Sequence, residues 1–586
     1  MKSRKLSAAE LRLKLSAADI KSIPYRPTSA FPADPAAKEA AATAVKLRGC
    51  GKNIFIAGPA SAERLSLIIA AAEEAAPAEE PAVALFEEGG GGRTPALSLR
   101  MLNADEAAKA EESAGFVKLL TPGCSGKPPL IIENDPVPHR LFGRCGDTAG
   151  ETEAGSLMRS AGGLLILNAD DLLLEEESWI RLKRALRSGA SELGERKPGL
   201  KTAMFGELRQ DYKVAILGTE QHYDHFYNND EDFRELFSFF AEIDSTADFD
   251  DENLSLSINH LRTFAERNLN REISPEALLE AVKHSRASAE NMTKLSTSLS
   301  DIDIIFEEAA LLNEGPISAD SFIRAVGRQT SRFSLLERKI LDDMESGEIN
   351  LRVDGREIGK VNGLAVIDKG PYSFGFPGLI SARIAPGENG LVNIEHEAGL
   401  SGEIHDKWVL ILEGFLRSRF ALDFPISIFA SICFEQSYSE VDGDSASSSE
   451  LYALLSAISG IPVRQDIAVT GSLSQTGEIQ AVGGLREKIE GFYKTCRRLG
   501  YTGEQGVIIP EKNINHIILP DEIIDEIENG RFHIYPVATV NDSMEILTGM
   551  EAGSRNSRGM FPHGSVNRMI EKNLRKLAQQ AKGGGG

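Results

Sequence analysis

The sequence predicts a multidomain protein: an α/β domain over residues 26–245, a helical subdomain over 246–345 and an α+β domain over 346–550, between an N-terminal arm (1–25) and a C-terminal tail (551–586). Three observations support this reading. The chain has 586 residues, several times the ~100–200 of one ordinary domain. Its first half alternates short apolar runs with Ala- or Glu-rich helical stretches, the pattern of a mostly parallel sheet. The periodicity then turns helical at Asp251 and strand-like after Ser346.

Along the chain, the Lys- and Ala-rich arm ending at Pro24 reads as a short helix and an extended entry. The apolar runs Asn53 to Ala57, Val83 to Phe86, Leu130 to Ile132, Leu164 to Leu167 and Val214 to Leu217 read as strands of the parallel sheet. Between them, Gly89 to Gly92 and the Ala/Glu-rich stretch Asn103 to Ala114 read as a solvated insertion over residues 87–127. In the helical region the ~3.6-residue spacing of Leu278, Leu279 and Val282, and of Ile302, Ile305 and Phe306, excludes strands. From Pro425 to Tyr438, Ile426, Ile428, Ala430, Ile432 and Phe434 alternate with polar residues, which predicts a strand with one buried face. Two helices and the strands Gly506 to Pro510 and Phe532 to Val537 follow. Residues after 550 end in four glycines and read as a short tail.

Composition narrows the function. With 64 Lys and Arg against 87 Asp and Glu, the net charge is −23, so phosphate backbones and anionic lipid are repelled. Neither nucleic acid nor a membrane is expected as a partner, and no apolar stretch approaches the ~18 residues of a membrane span. Residues 1–20 lack the apolar core of a secretory signal, which points to the cytoplasm. Cys50, Cys124, Cys145, Cys433 and Cys496 are scattered with no C-x-x-C pair, against both a disulfide framework and a zinc cluster. They are expected as buried small hydrophobes.

The run Asn53 to Ala57 leads into Gly58-Pro59-Ala60-Ser61-Ala62-Glu63-Arg64-Leu65 and a helix, the place of a phosphate-binding loop. Such a loop needs glycines to wrap phosphates, a Lys for the β/γ-phosphates and a Ser or Thr for magnesium. Here Glu63 takes the second glycine position, Arg64 the lysine position and Leu65 the hydroxyl position. Likewise Leu164 to Leu167 ends in Asn168-Ala169, where a nucleotide hydrolase presents a magnesium-holding Asp and a water-activating Glu. No cofactor and no metal is therefore expected. The same residues also fit strand ends that never bound nucleotide.

Val441 to Ser449 leads into a helix with apolar Leu451, Leu454, Leu455 and Ile458, and Ser445 stands at its start. Unpaired N–H groups there favour a developing oxyanion, although Asp and Ser at a helix start also serve as plain caps. In the helix Leu485 to Leu499, Lys488 shares the apolar stripe of Leu485, Phe492, Cys496 and Leu499, while Glu487, Glu490, Lys494 and Arg497 point away. A lysine on a buried face loses basicity and can act as a base, or it can snorkel as a structural residue.

Gly443-Asp444-Ser445-Ala446-Ser447, then Gly460 to Ser472, then Val482-Gly483-Gly484-Leu485-Arg486-Glu487-Lys488 resemble, in order and spacing, the proteolytic domain of the Lon proteases. Leu141-Phe142-Gly143-Arg144, Gly162 to Leu167 and Asp232 to Phe237 more loosely resemble the AAA+ region of the LonB and LonC branch. The resemblance implies an AAA+-like α/β module with a helical subdomain, degenerate at its nucleotide site, followed by a Lon-type α+β proteolytic domain. It implies Ser445 as nucleophile and Lys488 as its base, with Thr470 assisting the lysine and Asp444 and Asp442 modulating the site. Arg234 falls at the arginine-finger position, where an ion pair at a subunit boundary is expected instead, and Ser298 stands where the family's sensor-two region carries arginine. A ring, hexameric by the same resemblance, would enclose the sites and admit peptides and unfolded proteins without ATP.

Two other readings stay open: an ATP-regulated protease using Arg64, and a chaperone-like scaffold with a residual dyad. A Ser-His-Asp site is disfavoured, since His396, His405, His516, His533 and His563 lack a partner motif and Gly443 to Ser447 lacks the G-x-S-x-G elbow. All five are expected to be structural.

Overall fold

The computed structural model describes residues 4–28, 30–59, 63–75, 82–88, 96–103, 106, 109, 117–121, 128–145, 152–191, 195–196, 204–205, 208–210, 212–387, 390–437 and 442–583. The chain forms two compact units, one of residues 17–285 and 294–322, the other of residues 1–16, 286–293 and 323–586.

In the first unit, β1 (Ile54–Ala57), β2 (Leu130–Glu133), β3 (Leu164–Asn168), β4 (Val214–Gly218) and β5 (Phe239–Glu242) form one sheet in the order β5-β1-β4-β3-β2. Every pairing is parallel. All four residues of β1 are buried, as are Leu164 to Leu167, because a parallel sheet is covered on both faces and reads as continuous apolar runs. The helix α1 (Glu63–Glu74) follows β1. Phe55, Trp179, Phe226 and Phe233 fill one side, and Trp179 donates its indole N–H to Asp230 at 2.7 Å.

Two strand assignments differ from the sequence reading. Val83 to Phe86 belongs to a separate four-stranded sheet, in which residues 82–88 pair antiparallel with 96–102 and 117–121 and residues 204–205 pair in parallel with 96–102, not to the parallel one. The fifth parallel strand is β5 at the sheet edge, half-buried and so without a continuous apolar run. Gly89 to Gly92 and most of Asn103 to Ala114 lie outside the described residues. The helical stretch contains α2 (Asp251–Phe264) and α3 (Leu299–Ala310), the latter burying Leu299, Ile302, Ile305, Phe306 and Ala309 at the expected spacing.

In the second unit α4 (Leu335–Ser346) precedes the sheet. Its seven-stranded sheet comprises β6 (Lys360–Lys369), β7 (Tyr372–Pro386), β8 (Gly390–Asn393), β9 (Ile428–Phe434), β10 (Ile467–Val469), β11 (Gly506–Pro510) and β12 (His533–Val537), in the order β8-β9-β7-β6-β10-β11-β12. In β9, Ile428, Ala430 and Ile432 are buried in alternation. Helices α5 (Glu403–Phe420), α6 (Ser447–Ser459) and α7 (Leu485–Leu499) pack on this sheet. Ile467, Val469 and Ile508 join the core that contains α6, whereas Ala468, Val507 and Ile509 join the core that contains α7. Successive strand residues point to opposite faces, so α6 and α7 cover opposite sides of the sheet.

The first and last described helices of the chain are built into this unit. Leu6 donates its backbone N–H to Ile534 at 3.0 Å, and Leu6 and Leu11 are buried. The tail expected from residue 551 onward is ordered over its described residues: the helix Val566–Gly583 buries Val566, Ile570 and Leu574 in the α6-side core. Their i, i+4, i+8 spacing is an amphipathic signal that the terminal glycines obscured. Of the cysteines, Cys496 is buried and Cys433 partly so, but Cys50 is exposed, against expectation. Cys124 lies outside the described residues, as does the side chain of Cys145.

Helix α7 crosses β7 at two glycines. A Cβ at Gly375 would overlap the Glu487 carbonyl and press on Lys488 Cα, and a Cβ at Gly491 would overlap the Gly375 carbonyl. Backbone therefore meets backbone beneath Lys488. Gly375→Ala and Gly491→Ala should each lower stability by about 1–3 kcal/mol and displace the Lys488 turn, as read by urea unfolding and by amide exchange of residues 485–491.

Candidate active site

Lys488 sits on the first turn of α7 and is 3% exposed. The helix starts from Gly484, at φ +63° and so near Val366 that a Cβ would stand 2.8 Å from its Cγ2, which leaves glycine as the residue that fits. The Lys488 ammonium donates to the Gly483 carbonyl at 3.0 Å. Burial pulls its pKa down to about 8, against the opposing charges of Asp444 and Glu487.

Ser445 is held by its backbone. Its carbonyl accepts from Thr470 Oγ1 at 3.1 Å and from the Gly471 N–H at 2.9 Å, while the Ser448 N–H returns a bond to the Gly471 carbonyl at 3.1 Å. Asp444 accepts from Ser472 Oγ at 2.6 Å through its carboxylate and from Ser447 Oγ through its carbonyl. Ala446 occupies the cap position of α6, so the plain capping role open to Ser445 in the sequence is not the one it takes.

The half-exposed Ser445 and the buried Lys488 line one cavity of about 440 Å³, shared with Asp442, Val366, Phe434 and Glu487. β10 pairs with β6 only at Asn362 and Gly363. Beyond that pairing the β6 residues Leu364, Ala365, Val366 and Asp368 line the cavity shared by Ser445 and Lys488. No hydrogen bond joins Ser445 Oγ to Lys488 Nζ, whose bond goes to Gly483. Thr470, expected to assist the lysine, is fully buried and donates to the Ser445 carbonyl. Asp442 accepts from the Gly443 N–H at 2.8 Å and lies against Gly402, where a Cβ would overlap its carboxylate.

Residues 435–548 match the model of the Lon protease (S16) C-terminal proteolytic domain, and residues 126–244 match that of the LonB-like AAA domain. A Lon protease homolog of Escherichia coli (strain K12) is 32% identical over 421 residues, 70% of this chain and 71% of that protein. One of Haemophilus influenzae is 30% identical over 433 residues, 72% of this chain and 70% of its own length. The chain belongs to the Lon protease family. An archaeal Lon protease of Archaeoglobus fulgidus is 34% identical over 207 residues, 35% of this chain and 30% of its own.

As a Lon-family protease the chain has an AAA-like unit followed by the proteolytic one, and the first unit departs from a nucleotide hydrolase in its side chains. At the C-terminal end of β1, Glu63 opens α1 with 4% exposure and accepts from the Ser300 N–H at 2.8 Å and Ser300 Oγ at 3.2 Å. Burial lowers the pKa of Arg64, with the charge of Asp170 opposing. Asn168 ends β3, and Ala169 is buried in the helix that follows. Ser298 immediately precedes α3. Arg234 donates to the Tyr227 carbonyl at 2.8 Å and lies 4.6 Å from that ring's centroid, which is its setting within the chain.

His405 and Glu450 were not anticipated as a pair. His405 Nε2 and Glu450 Oε1 are 3.0 Å apart, and Ser401 Oγ lies 2.9 Å from His405 Nδ1. The chain of Ser, His and acid resembles a hydrolytic triad, but His405 is 1% exposed and beyond reach of a substrate. The one sequence signal was Glu450 itself, the single charge in Ser447–Ser459.

A buried ammonium opposes folding while both states are protonated. Below pH ~8 that cost is on the order of 3 kcal/mol; it shrinks as pH rises toward the unfolded pKa of 10.5, above which both states are neutral. Lys488→Met should therefore be more stable than wild type at pH 7, and thermal unfolding at rising pH should show the difference closing between pH ~8 and ~10.5.

Proposed function

We propose that this Lon-family protease is an ATP-independent serine endopeptidase that cleaves peptides and unfolded proteins with Ser445 as nucleophile and Lys488 as general base. One observation carries the reading: a buried amine with a pKa of about 8 opens on the same cavity as a hydroxyl that is not used as a cap. At neutral pH a usable fraction of that amine is uncharged, whereas an exposed lysine is almost wholly protonated.

In the reaction the neutral Lys488 takes the Ser445 proton as Oγ attacks the scissile carbonyl carbon. The tetrahedral oxyanion develops beside the start of α6, whose positive dipole end favours negative charge, although the Ser447, Ser448 and Ser449 N–H groups are themselves taken by the Asp444, Gly471 and Ala446 carbonyls. The Lys488 ammonium gives its proton to the departing amine, leaving an ester on Ser445. Water then adds to that ester with Lys488 again as base, which releases the acid and restores the hydroxyl. Thr470 and Gly471 fix the Ser445 carbonyl and hence the turn that presents Oγ. Asp444 keeps negative charge near the ammonium formed in the first step.

ATP independence is supported by the first unit. A buried carboxylate committed to Ser300 occupies the helix start that would face a phosphate, and the lysine, hydroxyl and magnesium-holding carboxylate are all replaced. A homo-oligomeric ring, hexameric and enclosing the sites, belongs to the same proposal and rests on the resemblance alone.

Casein digestion should proceed at the same rate with and without ATP and magnesium, and a nucleotide titration at physiological magnesium should show no binding. ATP stimulation would overturn the ATP-independent reading. Ser445→Ala and Lys488→Ala should each abolish cleavage; a fluorogenic peptide turned over by Ser445→Ala as fast as by wild type would remove the nucleophile assignment. In wild type, kcat should climb as pH is raised through about 8, since the base form of Lys488 accumulates.

A further inference from the structure

His405, on the first turn of α5, is 1% exposed, and Glu450, on the first turn of α6, is fully buried. The hydrogen-bond directions between them can be worked out. Ser401 Oγ lies 2.6 Å from Asp406 Oδ1, a carboxylate that accepts only, so the Ser401 proton points there. Ser401 Oγ must then accept from His405 Nδ1, 2.9 Å away. Nδ1 carries hydrogen, and a single proton lies between Nε2 and Glu450 Oε1 at 3.0 Å. Imidazolium with carboxylate and imidazole with carboxylic acid are both neutral overall, so either form of the pair is tolerated in a dry interior.

Burial alone would lower the His405 pKa, yet the Glu450 bond and the charges of Glu450, Glu395 and Asp406 raise it. Burial raises Glu450, with His405 pulling the other way. Around the pair, Glu395 accepts from the Phe434 N–H at 2.7 Å, His396 lies 2.8 Å from Asp406, and burial pushes the Cys433 thiol up to about 11. Both shifts favour retention of the proton between His405 and Glu450.

The placement of this pair is informative. The turn of Gly402 to His405 touches the Ser445 segment on both sides: Gly402 packs against the carboxylate of Asp442, three residues before Ser445, and His405 bonds Glu450, five residues after it. The His405 ring also meets Phe434 edge-on at 5.8 Å, and Phe434 lines the cavity of Ser445 and Lys488. A brace that only stabilised the core would not need to hold both flanks of one turn and a wall of its cavity.

We propose that His405 is a positioning residue for Ser445, acting through Glu450 on α6 and through the Gly402 contact on the Asp442 turn. The proposal rests on the reading of Ser445 as nucleophile. In the proposed cycle His405 exchanges no proton with substrate; its directional bond sets the rotation and height of the α6 start, which decides whether Oγ lies in line with a scissile carbonyl.

The test compares wild type, His405→Gln, Glu450→Gln and the double variant His405→Leu/Glu450→Leu, whose apolar pair leaves no buried charge. Three quantities are measured on each: unfolding midpoint, kcat and KM on a fluorogenic peptide, and the rate of Ser445 labelling by a fluorophosphonate. The double variant keeps the core filled, so it remains decisive if a single variant fails to fold. Folded variants should lose kcat and labelling rate by roughly 10- to 100-fold, with KM little changed. A folded double variant that labels and turns over like wild type would overturn the positioning role. If wild type itself is not labelled and Ser445→Ala is as active, the nucleophile reading falls, and this inference with it.

Discussion

The close crossing of α7 over β7 is the constraint on which the site depends. Gly375 and Gly491 let two backbones touch, and that contact seats Lys488 on the buried side of its helix rather than at the rim. Side chains outside the crossing hold it shut. Glu337 of α4, 7% exposed, accepts from Tyr372 on β7 at 2.6 Å and from Lys494 on α7 at 2.7 Å, so one carboxylate ties both partners. Arg498 of α7 reaches Glu345 of α4 at 2.5 Å. Exposed ion pairs of this kind contribute little one at a time, but here they oppose separation at the place where an unfavourable charge is buried. Removing either glycine acts on that burial directly, whereas removing a surface pair leaves the crossing in place.

The second requirement is convergence. Two helices on opposite faces of a sheet are ordinarily kept apart by the sheet itself, roughly 10 Å from each strand layer to the next. The short β10 relieves this: it ends at Val469, and the chain turns at Thr470 and Gly471 to bond the Ser445 backbone. Gly471, at φ +152°, has Ile479 and Ser448 within close contact of any added Cβ. The end of one strand therefore both opens the gap and holds one of the two groups that meet in it. The other is delivered from the far face by the Gly483-Gly484 turn.

Much of this was legible in local pattern, and the rest was not for identifiable reasons. Helix α7 and the inward direction of Lys488 follow from 3.6-residue spacing, a property of one segment. The alternation in β9 is likewise local. The His405–Glu450 pair spans 45 residues and two elements, and no periodicity signals a partner at that separation; only a lone charge in an otherwise uncharged helix hinted at it. Resemblance gives Thr470 a part in assisting the lysine, and the bond its hydroxyl makes to the Ser445 carbonyl is a contact across 25 residues that no local pattern signals. Val83 to Phe86 has the composition of a buried strand, which does not say which sheet it joins. The C-terminal helix carried a readable stripe in Val566, Ile570 and Leu574 that low-complexity glycine overshadowed.

The bond from Lys488 to the Gly483 carbonyl bears on how the proposed dyad would assemble. An ammonium can only donate, and a backbone carbonyl can only accept, so the protonated lysine places one of its three N–H groups on Gly483. Once the proton leaves, the amine gains a lone pair for which Gly483 offers nothing, while Ser445 Oγ offers an O–H within the same cavity. The neutral amine can keep an N–H on Gly483 while its lone pair accepts from Ser445, so deprotonation alone turns the group into a base. In the proposed cycle the base is set in place by the same burial that lowers its pKa.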